Sequence, residues 1–382
     1  MSAGPERSER PKAHAGPAVR VVLAGGHSAG HIEPAMNFAD AVHRLAPTAE
    51  ITALGTVRGL DTTLIPARGY PLELIPPVPL QRKLNRALLA TPARLRDSVR
   101  AAGAVLDRVR AEVVVGFGGY VAMPAYLAAR RRRIPIVVHE ANARAGVANR
   151  VAARLTTHVF TASPSVKLAH ATPVGIPLRP AIADLDRAAL RAEARARFGL
   201  ELEAPVLMVT GGSQGAQAIN TAVAGAAPAL RAAGVQVLHI VGPANVVDVA
   251  PGSPPYVVVP FVGEMQYAYA AADFVVCRSG AMTCAELGAV GLPAVFVPLP
   301  LRGGEQRLNA EPLAAAGAAV IVDNDQFTSA WVEANLLPIM TDPGRIAQMS
   351  AAASRSGARD ADVVLARQVL ALVAERRRER AG

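Results

Sequence analysis

The stretch Gly25-Gly26-His27-Ser28-Ala29-Gly30-His31 directly follows an apolar run over 19–24 and leads into Ile32, Ala35, Met36, Ala39 and Val42, which repeat at helical spacing. Glycines in a strand-to-helix turn let backbone N–H groups reach a diphosphate, and the helix N-terminus meets its charge. The plainer reading is a tight connection and nothing more. This is the first such turn of the chain, where nucleotide-binding sheets hold their ligand. Its spacing, Gly26-x-x-x-Gly30, departs from the Gly-x-Gly-x-x-Gly of dinucleotide sites, which disfavours NAD. His31, at the helix start, is either a general base kept neutral by the helix dipole or a histidine that lines the loop.

The device recurs. Gly116-Phe117-Gly118-Gly119-Tyr120 follows an apolar run over 113–115, so Gly26, Gly118, Gly119 and Tyr120 together suit an anionic acceptor. His139-Glu140-Ala141-Asn142 ends another run, a position where ligands sit and where loop polarity is also ordinary. Gly211-Gly212-Ser213-Gln214-Gly215-Ala216 offers a hydroxyl and amides to a nucleotide diphosphate. Arg278-Ser279-Gly280-Ala281-Met282-Thr283 opens a helix carrying Glu286, whose carboxylate could accept both ribose hydroxyls or simply offset the helix dipole. Gln306 and Asn309 carry amides suited to sugar hydroxyls, and Arg179 is either a phosphate ligand or a solvated linker charge. Asp-x-Asp pairs at Asp184/Asp186, Asp323/Asp325 and Asp360/Asp362 are of the type that holds a divalent ion in some sugar transferases. Two lie in charged helical stretches and Asp323-Asn324-Asp325 reads as turn and N-cap chemistry, so no metal is expected. Leaving-group charge then falls to helix N-termini and Arg179.

These clusters need a scaffold, and 382 residues exceed a single ordinary core. Short apolar runs alternate with helical patterns in two sets, the signature of stacked βαβ units. The first set is 19–24, 51–54, 72–75, 113–115, 136–139 and 158–161; the second is 206–210, 235–241, 256–259, 274–277, 294–297 and 318–322. The stretch 173–197, with Pro177 and Pro180, separates them. The expectation is an α/β protein of two Rossmann-like halves facing across a cleft: a disordered tail over 1–18, domains over 19–177 and 178–358, and a helix with a basic tail over 359–382 that packs back on the body.

Hydrophobic residues at 51% and charged ones at 18% exclude a disordered chain. Aromatics at 4% argue against stacking on single-stranded nucleic acid, so the net charge of +10 asks for another anion: a nucleotide diphosphate, a lipid diphosphate or a membrane surface. Two cysteines, Cys277 and Cys284, fit a reducing compartment. The polar tail lacks the apolar core of a signal peptide, and no run reaches about 18 apolar residues, so membrane contact is expected to be peripheral. The stretch 80–89, with Leu80, Arg82, Lys83, Leu84, Arg86, Leu88 and Leu89, is a lipid-facing segment or an ordinary amphipathic helix. Arg130 to Arg133 read as a solvated helix end.

In this order, the loops at 25–31, 116–120, 139–142, 211–216, 278–286 and 305–309 resemble those of the bacterial lipid-intermediate N-acetylglucosaminyltransferases, over about 19–363. Each motif is common alone; the ordered set is specific. The resemblance implies the GT-B fold and inverting, metal-independent transfer of N-acetylglucosamine from UDP-N-acetylglucosamine to the 4-hydroxyl of a muramoyl-pentapeptide on diphosphoundecaprenol, for peptidoglycan synthesis. It implies an acceptor and membrane-associating domain over 19–177 and a UDP-sugar domain over 178–358, with no cofactor. By motif match, Ser213 and Arg179 serve the donor diphosphate, Val262 the uracil and Glu286 the ribose. Ala281, Met282 and Thr283 contact the nucleotide, Asn142 and Gln306 the sugar, and Ser28, Ala29 and Gly30 line the cleft opposite. His31 matches the family's proposed base, with Glu140 as the alternate. The implied setting is the cytoplasmic face of the cell membrane, with an anionic inner membrane surface and cell-wall or division proteins as partners and no nucleic acid.

The chain departs from the family in carrying His27 where glycine is common, Ser28 for threonine, Ala141 for glutamine and Ile176 for asparagine. A bulky His27 narrows the approach of a diphosphate. Two rivals share parts of this reading: a UDP-sugar epimerase or transferase with another acceptor, and a non-catalytic anion or nucleic-acid binder.

Overall fold

A computed structural model describes residues 18–78, 91–300 and 303–382. The expected tail, apart from Ala18, and the basic stretch 80–89 lie outside the described residues. The first sheet comprises β1 (Arg20–Gly25), β2 (Glu50–Gly55), β3 (Leu72–Leu74), β4 (Val113–Gly118), β5 (Ile136–Glu140), β6 (Val159–Thr161) and β7 (Ala171–Pro173), in the order β3-β2-β1-β4-β5-β6-β7. Its helices are α1 (Ala29–Leu45), α2 (Asp61–Ala67), α3 (Thr91–Arg108), α4 (Ala122–Arg132) and α5 (Val147–Ala152). The second sheet comprises β8 (Val206–Thr210), β9 (Gln236–Ile240), β10 (Tyr256–Val259), β11 (Phe274–Cys277), β12 (Ala294–Phe296) and β13 (Ala319–Ile321), in the order β10-β9-β8-β11-β12-β13. Around it stand α6 (Pro180–Ala183), α7 (Arg187–Arg197), α8 (Gln217–Gly225), α9 (Ala227–Ala232), α10 (Met265–Ala271), α11 (Ala281–Val290), α12 (Glu305–Ala315) and α13 (Pro343–Ser356). The last helix, α14 (Ala361–Ala381), returns to the first half.

Every strand pairing is parallel. Helices on both faces bury the central strands, which is why β1, β4, β8 and β11 read as unbroken apolar runs. In each half the strand order reverses beside the first strand, between β1 and β4 and between β8 and β11. The loops that leave those strands therefore diverge and open a crevice at their carboxyl ends. β7 was not foreseen: three residues, with exposed Thr172 and Pro173, make an edge strand without an apolar signature.

The chain crosses between the halves twice, at 174–180 and near 357–361. After the second crossing, α14 lays Leu365, Val369 and Val373 against Val21, Leu23 and Phe38 of the first core. Full burial of such a side chain stabilises by about 1.5–3 kcal/mol. Arg377 then clamps the helix, donating to both oxygens of Glu112 at 2.7 Å and to the carbonyl of Ala18 at 2.8 Å. Glycines set the crossings close: a Cβ on Gly357 would lie 2.2 Å from the backbone of Gly288 in α11.

One buried cation organises the second half. Arg195 in α7 is 1% exposed and donates to the carbonyls of Ala271 at 3.1 Å and Ala204 at 2.8 Å and to Asp273 Oδ2 at 2.7 Å. Asp273 also accepts from Val206 N at 2.8 Å and from Arg191 at 2.7 Å, so one network fixes the starts of β8 and β11. Replacing Arg195 with methionine removes the buried cation opposite Asp273 Oδ2 and the donors it gives to the carbonyls of Ala271 and Ala204. The expected loss is about 3–5 kcal/mol in the second half, read as a lowered urea midpoint followed by tryptophan fluorescence; an unchanged midpoint would show the network to be incidental.

Candidate active site

The turns after β1 and β4 face each other at the first switch point. Gly119 holds φ +81°, and a Cβ there would lie 2.5 Å from the carbonyl of Gly26, so only glycine lets the two loops meet. Ser28 is the N-cap of α1, extended and without a side-chain cap; its carbonyl accepts from His31 N at 3.0 Å and Ile32 N at 3.1 Å. The N–H groups of Ala29 and Gly30 precede the helical ladder and remain for a ligand. His27 occupies the left-handed region at φ +77°, which explains why glycine is common there. Two contacts offset the strain: its N–H donates to Asp61 Oδ1 at 2.6 Å, and its ring meets Tyr120 edge-on at 4.9 Å. The imidazole thus stands against Tyr120 as part of the loop wall.

His31 Nδ1 lies 2.9 Å from the carbonyl of Phe117. A carbonyl only accepts, so Nδ1 carries the proton and Nε2 is left as the acceptor. Burial lowers the His31 pKa, against the raising pull of the Phe117 hydrogen bond and the Glu305 charge. The dipole argument from sequence gave the same direction, but desolvation is the leading cause. Glu305 begins α12 in the second half, so its influence on His31 acts across the cleft. Burial and the Glu140 charge in turn push the Glu305 carboxyl up.

Glu140 is 2% exposed, and both oxygens are engaged. Oε1 accepts from Asn142 N at 3.0 Å; Oε2 accepts from Gly146 N at 2.9 Å and Asn149 Nδ2 at 3.0 Å. Burial raises its pKa despite these donors. Its geometry is that of a clamp shaping the loop that carries Asn142. That loop touches the other half: Ala143 N donates to Asn309 Oδ1 at 2.8 Å. Asn309, read with Gln306 as a sugar ligand, instead bridges the halves.

In the second half, a Cβ on Gly215 at φ +74° would fall 1.9 Å from the Val241 carbonyl, which fixes the turn holding exposed Ser213. Gly280 caps α11 without a side chain, leaving the N–H groups of Ala281, Met282 and Thr283 ahead of the ladder. Glu286, on the second turn, accepts from Tyr269 OH at 2.7 Å. Burial raises its pKa, while Tyr269 and the nearby Arg179 oppose the rise. Gln306 Oε1 accepts from Leu299 N at 2.9 Å, leaving its N–H₂ side. Met282 and Val262 lie partly buried against the second core. Among the described residues no hydrogen bond joins Ser213 or Val262 to the other candidates; what they share is the carboxyl-end rim. Arg179, at the first crossing, donates to Glu33 Oε2 of α1 through Nε at 3.2 Å and Nη2 at 2.7 Å.

The acidic pairs have other partners: Asp186 caps α7, Asp323 pairs with Arg307, and Asp362 with Arg44. Thr328, not an aspartate, supplies the cap expected after Asp325. Sequence reading missed Asp61, Glu305 and Glu33. A buried aspartate six residues past the end of β2 carries no motif, and the other two matter only through contacts between halves. A cavity of about 440 Å³ behind the cleft, between Gly175, Ile176, Cys284 and Gly288, is mainly apolar and does not suit a diphosphate.

Residues 21–161 match the glycosyltransferase family 28 N-terminal domain and residues 206–365 the family 28 C-terminal domain. A UDP-N-acetylglucosamine–N-acetylmuramyl-(pentapeptide) pyrophosphoryl-undecaprenol N-acetylglucosamine transferase of Saccharopolyspora erythraea is 59% identical, over 92% of this chain and 93% of its own length. Its counterpart from Streptomyces avermitilis is 55% identical, over 94% of this chain and all of its own. Among solved structures, Acinetobacter baumannii MurG superposes with TM-score 0.76 at 27% identity, covering 94% of this chain and 100% of its own. A Neisseria meningitidis UDP-GlcNAc 2-epimerase bound to UDP-GlcNAc shares the fold alone, at TM-score 0.64 and 14% identity over 92% of this chain. With two Rossmann-like halves in the GT-B arrangement and full-length relatives at this identity, the chain belongs to glycosyltransferase family 28, among the UDP-N-acetylglucosamine–N-acetylmuramyl-(pentapeptide) pyrophosphoryl-undecaprenol N-acetylglucosamine transferases.

Proposed function

We propose that this chain transfers N-acetylglucosamine from UDP-N-acetylglucosamine to the 4-hydroxyl of the muramoyl-pentapeptide carried on diphosphoundecaprenol, with inversion and without a metal ion. The observation that carries the mechanism is the His31 tautomer, with Nδ1–H held by Phe117 O and Nε2 left as acceptor beside two loops suited to a diphosphate. Nε2 takes the hydroxyl proton as the oxygen attacks the anomeric carbon. The new C–O bond forms on the face opposite UDP, and the departing oxygen keeps the bonding electrons. Its charge is met by the first-turn N–H groups of α11, by Ser213 and by Arg179. Glu286 accepts the ribose hydroxyls, Val262 meets uracil, and Asn142 and Gln306 hold the sugar. Gly26, Gly118, Gly119 and Tyr120 receive the acceptor diphosphate, beside Ser28, Ala29 and Gly30. Glu140, saturated by N–H donors, shapes the Asn142 loop and leaves the proton to His31.

We further place the first half against an anionic membrane surface at the cytoplasmic face. The basic stretch 80–89, which lies outside the described residues, is the segment we assign to that surface; the basic cavity of about 770 Å³ lined by Arg130, Arg133, Arg154 and Arg376 is at the amino ends of β5 and β6, away from the acceptor loops. Among the described residues no helix is long and apolar enough to cross a membrane. Cell-wall or division proteins are the partners we would seek there.

Incubation with UDP-N-acetylglucosamine and a short-chain muramoyl-pentapeptide lipid diphosphate in EDTA should release UDP and add one sugar to the acceptor; UDP-sugar binding without transfer would point to another acceptor. His31→Ala should lower kcat by about 100- to 10,000-fold with little change in UDP affinity. Because the reactive imidazole must be neutral and burial lowers its pKa, the acid limb of kcat/KM should fall below the ordinary histidine value of about 6.5; a limb above it would count against His31. Glu286→Gln should weaken UDP binding by about 10- to 100-fold in calorimetry, the weight of hydrogen bonds to a charged group. Arg82→Glu with Arg86→Glu should release the protein from phosphatidylglycerol vesicles at low salt, at about 1 kcal/mol per arginine, whereas unchanged binding would place the membrane contact elsewhere.

A further inference from the structure

Arg179 is exposed on a crossing segment, where a side chain with four rotatable bonds would ordinarily wander. Here it is braced. The segment's backbone is tied to α1 by Asn37 Nδ2, which donates to the Pro177 carbonyl at 2.9 Å, and the Arg179 carbonyl accepts from Ile182 N and Ala183 N, both at 2.9 Å. Its guanidinium then gives the Nε–Nη2 edge to one oxygen of Glu33. Glu33 is itself fixed: its side chain is 18% exposed against 45% for Arg179, and the same oxygen accepts from Arg68 Nη1 at 3.1 Å. Arg68 reaches on to Asn37 Oδ1 at 3.1 Å and Asp40 Oδ2 at 2.5 Å, and Tyr70 OH donates to Asp40 Oδ1 at 2.7 Å.

We propose that Glu33 is a positioning residue for the donor nucleotide, holding one edge of Arg179 so that Nη1 and the outer N–H of Nη2 are presented to the donor diphosphate. This rests on the reading that Arg179 meets that diphosphate. A guanidinium has two usable edges, and an acid on one leaves the planar fork aimed along the other. The pair stands near the residue assigned to the ribose: Arg179 lowers and Glu33 raises the pKa of Glu286. The half-exposed pair contributes little to stability in its own right. Its effect is to order the arginine before the nucleotide arrives, so that binding does not have to.

The test is a double-mutant cycle on UDP affinity by calorimetry, with the thermal midpoint and acceptor KM measured alongside. E33Q should weaken UDP binding by about 2- to 12-fold, the cost of ordering one long side chain on binding. Midpoint and acceptor KM should stay as they are, and E33D should restore part of the loss. In the Arg179→Ala background, E33Q should have no further effect. Tighter UDP binding by E33Q would make Glu33 a competitor of the phosphate and overturn the proposal, as would an unchanged affinity or an equal loss in the Arg179→Ala background. If Arg179→Ala alone leaves UDP binding intact, the assignment of Arg179 fails and Glu33 falls with it; if only E33Q is silent, Arg179 stands and Glu33 alone is wrong.

Discussion

Unpaired backbone N–H groups at the beginnings of helices are the resource on which the cleft depends. In a parallel sheet each helix begins where a strand has just ended, so the positive ends collect on one rim. The helices that open on this rim, α1, α8, α11 and α12, are capped by Ser28, Ala216, Gly280 and Gly304, and none makes a side-chain cap bond. Two helices away from it use a side chain, Asp186 capping α7 and Asp342 capping α13 through their carboxylates, whereas α9 and α14 have no side-chain cap either. A side-chain cap is worth about 1 kcal/mol to a helix. The rim forgoes that stability and keeps its donors available to phosphate oxygens.

The same economy governs the proton acceptor. Two groups near the carboxyl ends of β1 and β5, with β4 between them, could take a proton, and their surroundings separate them. Glu140 is buried with both oxygens held by N–H donors, whereas His31 has one nitrogen committed and one spare. Desolvation favours the neutral imidazole, the form that the proposed base role requires. Glu305 arrives from the opposite half and tempers that shift, so the basicity of His31 depends on how closely the halves approach.

Much of this was legible in the amino-acid order. Buried parallel strands are long apolar runs, and glycine-rich turns mark where they end, so the two sheets and the rim loops could be read directly. Most strand ends differed by a residue or so, β4 ran three residues further into the stretch read as a turn, and β7 escaped because a short edge strand needs no apolar face. What could not be read were contacts between parts far apart in the chain. Asp61 shows this best: nothing around it hints that its carboxylate would receive the His27 and Thr56 N–H groups, at 2.6 and 2.8 Å, and hold a non-glycine residue in a glycine conformation. Arg179 was legible as a cation near the crossing, but its partner on α1 was not, because charge complementarity across 146 positions leaves no local pattern.

The return of α14 has a consequence for synthesis. The first core closes only when Leu365, Val369 and Val373 are supplied, after the whole second half has been made. At about 5–20 residues per second of synthesis, the usual order in which the N-terminal unit is completed first is therefore not open to this chain. The first sheet meanwhile waits with an apolar face uncovered. Completion of the first half thus waits on a segment made after the second, and a product that lacks α14 would carry a first half with an uncovered, aggregation-prone core face.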